Sequence, residues 1–182
     1  MPARLPGSRR SARISSCEII IRVKARWIRL GAIGQREFDA AYASIAAAQP
    51  RTAQPVLLWG EEAARYPFAL IAPLKFAPGR VRRWLSWGLA AAVATYRQFG
   101  VPAYLNDGLF LHGRDIAQSR ALALGECAVI ASSFLVRFPG RCVATPSVEL
   151  EHAFRVRLEA QHGWEFDHSW PSAPECVAAT SC

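Results

Sequence analysis

The fourteen residues from Tyr104 to Ala117 constrain this chain more than any other segment. Tyr104-Leu105 leads into Asn106-Asp107-Gly108, the apolar Leu109-Phe110-Leu111 follows, and His112-Gly113 precedes Arg114-Asp115-Ile116-Ala117. Asn, Asp and Gly favour turns because they tolerate left-handed backbone or hydrogen-bond to nearby main chain. An apolar trio bounded by such residues predicts a short strand over 109–111 and a turn at His112-Gly113. Just upstream lies the clearest helix, predicted over Gly79–Phe99. Val81, Trp84, Leu85, Leu89, Ala92, Val93 and Tyr96 form one apolar stripe at helical spacing, and Gly100 is a plausible stop. Arg80, Arg82 and Arg83 at its start oppose the helix dipole, which fits either a solvated face or an anion contact.

The remaining elements follow from the same periodicities. Glu18–Leu30 reads as a first strand, and Glu37–Ala48, with Phe38, Ala41, Tyr42 and Ile45 at helical spacing, as an amphipathic helix. Pro55–Gly60 and Phe68–Leu74 read as buried strands close enough in sequence to form a hairpin, and Cys127–Phe138 as a longer one. Thr145-Pro146 is a good helix start, Leu150, Phe154 and Leu158 give that last helix a buried edge, and Gly163 ends it. Paired strands separated by single helices predict an α+β fold, a mainly antiparallel sheet with helices packed on it. The expected organisation is a basic extension over residues 1–16, one domain over 17–163 and an irregular tail over 164–182, whose two tryptophans and Phe166 could pin it to the domain.

Composition removes several function classes. The chain has 182 residues and is 52% hydrophobic, enough for one sizeable core. Charged residues interrupt every long apolar run, so no membrane span is expected. The formal charge of +8 is local: residues 1–30 hold eight of the 22 basic groups and one of the 14 acidic ones, whereas the remainder is nearly balanced. A polyanion-binding face needs basic groups clustered on the folded body, so nucleic acid is not an expected partner. Five cysteines without a CxxC pair, and no secretory signal, point to a reducing cytoplasm. Four scattered histidines give no zinc pattern.

The layout around 104–117 resembles the centre of the biotin/lipoate protein ligase and octanoyltransferase superfamily. There a W-P-N-D segment, an apolar strand and G-R-K-[IV]-[AG]-G occur in that order. Over roughly residues 25–138 the order of strands and helices is similar too. The resemblance implies a biotin/lipoate ligase-like core, a lipoyl or related acyl ligand, and a lipoyl- or biotinyl-carrier domain as partner. It carries Asn106, Asp107 and Arg114 over as ligand-binding candidates, beside the ordinary turn role open to Asn106-Asp107.

The departures bear on chemistry. Aligned on Gly113-Arg114, the family's catalytic lysine becomes Asp115; aligned without one inserted residue, it becomes Arg114. A carboxylate about 4 Å from a phosphate replaces an attraction of roughly 4 kcal/mol with a similar repulsion at an effective dielectric near 20. Only Lys24 and Lys75 remain among 22 basic residues. Lys75 and Asp115 are therefore the catalytic candidates, both also explicable as surface groups. The phosphate-cradling, Gly- and Arg-rich loop expected between the strands at 55–60 and 67–73 is reduced to Glu61-Glu62-Ala63-Ala64-Arg65-Tyr66. Gln118, where the family has glycine, would narrow a pocket. ATP binding is thus not expected, and no metal or other cofactor is implied. The leading expectation is a ligase-like binding domain without ATP- and lysine-dependent ligation. The alternatives are an ATP-independent acyl (octanoyl or lipoyl) transferase using a lysine or a cysteine such as Cys127 or Cys142, and an anionic-surface or nucleic-acid binder acting through the Arg-rich start.

Overall fold

The computed structural model describes residues 22–50, 53–135 and 147–167. Nine strands and three helices occur there in the order β1 (Val23–Ala32), α1 (Gln35–Ala48), β2 (Val56–Glu61), β3 (Arg65–Pro73), α2 (Trp84–Gln98), β4 (Tyr104–Leu105), β5 (Leu109–Leu111), β6 (Arg114–Asp115), β7 (Arg120–Leu124), β8 (Cys127–Leu135), α3 (Ser147–His162) and β9 (Trp164–Phe166). Six strands form the main sheet in the order β7-β8-β3-β2-β1-β9, and β4-β5-β6 form a small second sheet. β2–β3, β3–β8 and β7–β8 are antiparallel, whereas β1 runs parallel to both β2 and β9.

The middle of the sheet is covered on both faces, which is why β2, β3 and β8 read as nearly continuous apolar runs. Alternate residues go to opposite cores. Leu57, Trp59, Phe68, Leu70, Ile130 and Phe134 face α2 and α3, and Leu58, Ala69, Ile71, Val129 and Ala131 face α1. The larger core centres on Phe154 of α3, whose ring lies 4.6 Å from Phe68 and 5.1 Å from Phe134. The expected buried edge of α3 is observed, with Leu150, Phe154 and Leu158 all buried. Among the described residues no helix is long and apolar enough to cross a membrane.

Three expectations change. The long helix begins at Trp84, five residues after the expected start at Gly79; Val81–Arg83 is a separate 3-10 turn and Val81 is 56% exposed. No side chain caps the α2 start, three arginines oppose its dipole, and the Trp84 indole is held back on the Pro78 carbonyl at 2.7 Å. Trp164–Phe166, placed in an irregular tail, forms strand β9 beside Val23–Ala25, with both aromatics buried. Arg114-Asp115 and Arg120–Leu124, not read as strands, are β6 and β7. Residues 1–21, 51–52, 136–146 and 168–182 lie outside the described residues, and with them Cys142, Thr145 and the basic extension.

Candidate ligand-binding cleft

A narrow cleft opens at one end of the sheet, on the α1 face. Gln35 and Phe38 of α1, Arg65 at the start of β3, Ala117, Gln118 and Arg120 around the start of β7, and Ala131, Ser132 and Ser133 of β8 line it. Its enclosed volume is about 10 Å³, room for about one water molecule, so a larger ligand would meet these groups at the mouth. Strand register places these groups together. Arg120 is opposite Ala131, and Pro67 is opposite Ser133, so Arg65, Ser133 and Arg120 project on the same side.

Polar contacts define its walls. Asp39 of α1 accepts from Gln35 Nε2 at 2.8 Å and pairs with Arg120 Nη2 at 3.3 Å. Burial first, and then the Asp39 carboxylate, push the neighbouring Tyr42 hydroxyl above its usual pKa, so it stays protonated. The Ser119 and Ser132 hydroxyls are 2.8 Å apart. Ser133 is 2% exposed and its Oγ has no hydrogen-bond partner, a costly state that a ligand or water in the cleft would relieve. Gln118, expected to narrow a pocket, does line this cleft, and two adjacent serines inside an apolar strand pattern are its other sequence signal. Gln35, Asp39 and Arg120 had none, because their convergence depends on α1 crossing the sheet.

The motif segment borders the cleft without filling it. Asn106 N–H donates to the Gly108 carbonyl at 3.1 Å, and Asp107 has φ 54°, so this pair makes the expected turn. His112 and Gly113 have φ 50° and 78°, as a two-residue hairpin turn between β5 and β6 requires. Asn106, Asp107 and Arg114 are exposed on the small sheet and none of them lines this cleft. Asp115 Oδ1 accepts from the backbone N–H groups of Ala117 at 3.0 Å and Gln118 at 3.1 Å. That carboxylate therefore holds the wall containing Gln118, itself at φ 47°.

The lysines are elsewhere. Lys75 follows the far end of β3, with its ammonium 4.8 Å from the Phe76 ring centre. Arg65 and Pro73 are separated by eight strand steps, about 26 Å at roughly 3.3 Å per residue, well beyond a lysine's reach. Lys24 lies near the opposite end of β1 from α1 and pairs with Glu165 at 2.8 Å. Cys127 is opposite Pro73, again at the far end, fully buried, with burial pushing its thiol pKa up. The β2–β3 connection is a tight turn in which Glu62 and Arg65 exchange backbone hydrogen bonds of 2.9 and 3.3 Å, leaving only Ala63-Ala64 at its tip. Among the described residues no group of three or more His, Cys, Asp and Glu is placed to hold a metal ion.

No family profile matches the chain, and no curated protein matches it. Solved structures do. The bi-partite lipoate protein ligase of an archaeal lipoylation system from Thermoplasma acidophilum, studied with its E2 lipoyl domain, aligns with a TM-score of 0.69 at 10% identity, covering 86% of this chain and 91% of that one. A lipoate-protein ligase A bound with ATP gives 0.68 at 11% identity over 86% and 92% of the two chains. The biotin acetyl coenzyme A carboxylase synthetase of Helicobacter pylori, bound with biotinylated ATP, gives 0.53 at 9% identity over 77% and 75%. Identities this low speak for architecture and not for chemistry. On that architecture, the chain has the fold of the biotin/lipoate protein ligase superfamily.

Proposed function

We propose that this protein binds the polar end of a lipoyl or related acyl ligand, free or carried by a lipoyl-type domain, at the mouth of the cleft between α1 and the end of the sheet, and does not ligate it with ATP. A cytosolic setting is part of this reading. The observation that carries it is the cleft's lining: Arg65, Arg120 and an unpartnered Ser133 hydroxyl converge there, while both lysines stand at the other end of the sheet. Two guanidinium groups and a hydroxyl suit the carboxylate or carbonyl end of an acyl chain. The resemblance puts the family's phosphate loop at the β2–β3 connection and its lysine near Arg114-Asp115. Here the first is a tight turn and the second a carboxylate already engaged with backbone N–H groups.

The transferase alternative has less support. Its cysteine candidate Cys127 is buried about the length of a strand from the cleft, with a thiol pKa that burial raises. The test combines the purified chain with lipoic acid, Mg-ATP and an E2 lipoyl domain. The expected result is saturable lipoic acid binding with an unchanged carrier mass. Arg65→Ala should weaken binding about 10- to 100-fold, the range for losing a charge-assisted hydrogen bond. A lipoylated carrier would overturn the loss of ligation, and binding indifferent to Arg65→Ala and Arg120→Ala would overturn the site.

A further inference from the structure

A second polar cluster lies on the opposite face of the sheet, away from the cleft, and nothing above uses it. Glu151 of α3 is 2% exposed, and its Oε2 meets Arg29 Nη2 of β1 at 2.8 Å. The same Nη2 lies 3.4 Å from Glu61 Oε1 at the end of β2. Arg155, one turn along α3 and 7% exposed, stacks its guanidinium 4.5 Å from the Trp27 ring centre and approaches His152 Nδ1 at 3.3 Å. Among the described residues the groups acting on Glu151 are Arg29, Arg155, Glu61 and the Trp27 indole, with His152 beside Arg155. Four atoms in this cluster have no hydrogen-bond partner: Glu151 Oε1, Trp27 Nε1, Arg29 Nε and Arg155 Nε.

This arrangement has two competing states. Arg29 is shared between two carboxylates, one nearly dry and one 38% exposed at its side chain. An ionised carboxylate with one oxygen unbonded is expensive to bury, and its protonation removes that cost. Once Glu151 is neutral, its hold on Arg29 drops from an ion pair to a single hydrogen bond, and Glu61 becomes the stronger partner. We propose that Glu151 is a proton switch of the folded protein, whose protonation and deprotonation redirect Arg29 between α3 and the end of β2. The claim is independent of the ligand and the cleft.

The electrostatics agree with the geometry. Burial first, opposed by Arg29, Arg155 and the Trp27 indole and assisted by Glu61, pushes the Glu151 pKa up from 4.5 to about 7. A folded pKa above the unfolded one means that the folded chain binds the proton first. Stability contributed by this group is therefore gained as pH falls from about 7 toward 4.5 and is absent above 7.

Carboxyl carbon NMR on the full chain tests this, together with urea unfolding of the wild type and Glu151→Gln across pH 5.0–8.5. One glutamate signal should titrate near pH 7 and vanish in the variant. The ratio of wild-type to variant folding constants should rise about 50- to 100-fold on acidification from 8.5 to 5.0, as linkage requires for such a pair of pKa values. A wild-type spectrum in which every glutamate titrates below about 5.5, in the ordinary carboxylate range, overturns the proposal whether or not the variant folds. So does a ratio that stays constant with pH.

Discussion

Gly88→Ala is normally a stabilising change in a helix, by about 1 kcal/mol, because alanine has far less backbone freedom to lose. Here it should destabilise. Gly88 is buried on α2 where that helix meets β8, and an added Cβ would lie 3.0 Å from both Cγ1 and Cγ2 of Ile130 and 3.1 Å from its Cβ. Comfortable carbon contacts are about 3.5–4.0 Å. All three colliding atoms belong to the branched centre of Ile130, so no rotation about its outer bonds relieves them. The Ile130 backbone is clamped between Leu70 of β3 and Ala121 of β7.

Overpacking of this kind costs about 1–3 kcal/mol, which outweighs the propensity gain and leaves a net loss of about 1 kcal/mol. Urea unfolding followed by tryptophan fluorescence would report it, since Trp84 and Trp87 are on the same helix. A double-mutant cycle makes the reasoning specific. Ile130→Ala alone should cost about 2–5 kcal/mol, but combined with Gly88→Ala the total should fall short of the sum by at least about 1 kcal/mol, because the collision is gone. If Gly88→Ala raises stability by about 1 kcal/mol and the two changes add, the close approach of α2 to β8 is not as described.

Two further outcomes follow from the same coordinates. Burial between Trp87 and Trp164 lowers the His162 pKa from 6.5 to about 4, so stability should be lost as pH falls from 6.5 toward 4. His162→Asn should flatten that limb in urea titrations, and an unchanged acid limb would refute the assignment; the slope opposes that of Glu151, so each must be read against its own variant. Asp115→Ala removes the acceptor of two backbone N–H groups beside the strained Gln118 and should cost about 1–2 kcal/mol while speeding amide exchange at Ala117 and Gln118. Unaltered exchange there would mean that the carboxylate does not hold the cleft wall.

Much of this fold was legible in the chain itself, because its signals are local. The apolar trio Leu109–Leu111 between turn residues, the stripe of α2 from Trp84 to Tyr96, and the buried runs of β2, β3 and β8 each carry their own periodicity, and the structure has each where expected. The likeness in element order at 104–117 pointed to the superfamily that the architecture matches. What a short element gains from a distant neighbour left no such trace. Trp164–Phe166 is a strand only because β1, some 140 residues earlier, offers it an edge, and Val81 drops out of the α2 stripe because the chain turns before Trp84.

The sites divide the same way. Sequence alone established that lysines are scarce and that the β2–β3 interval has no glycine, both simple counts. It marked Asn106, Asp107 and Arg114, which the folded chain leaves on an exposed small sheet. Only the tertiary structure gathers Gln35, Arg65, Arg120 and Ser133 from four elements into one cleft, and Arg29, Glu61 and Glu151 from three into one cluster. The physical reason is that a strand or helix declares itself within a dozen residues, whereas burial, charge pairing and an orphaned hydroxyl are properties of space that no run of sequence contains.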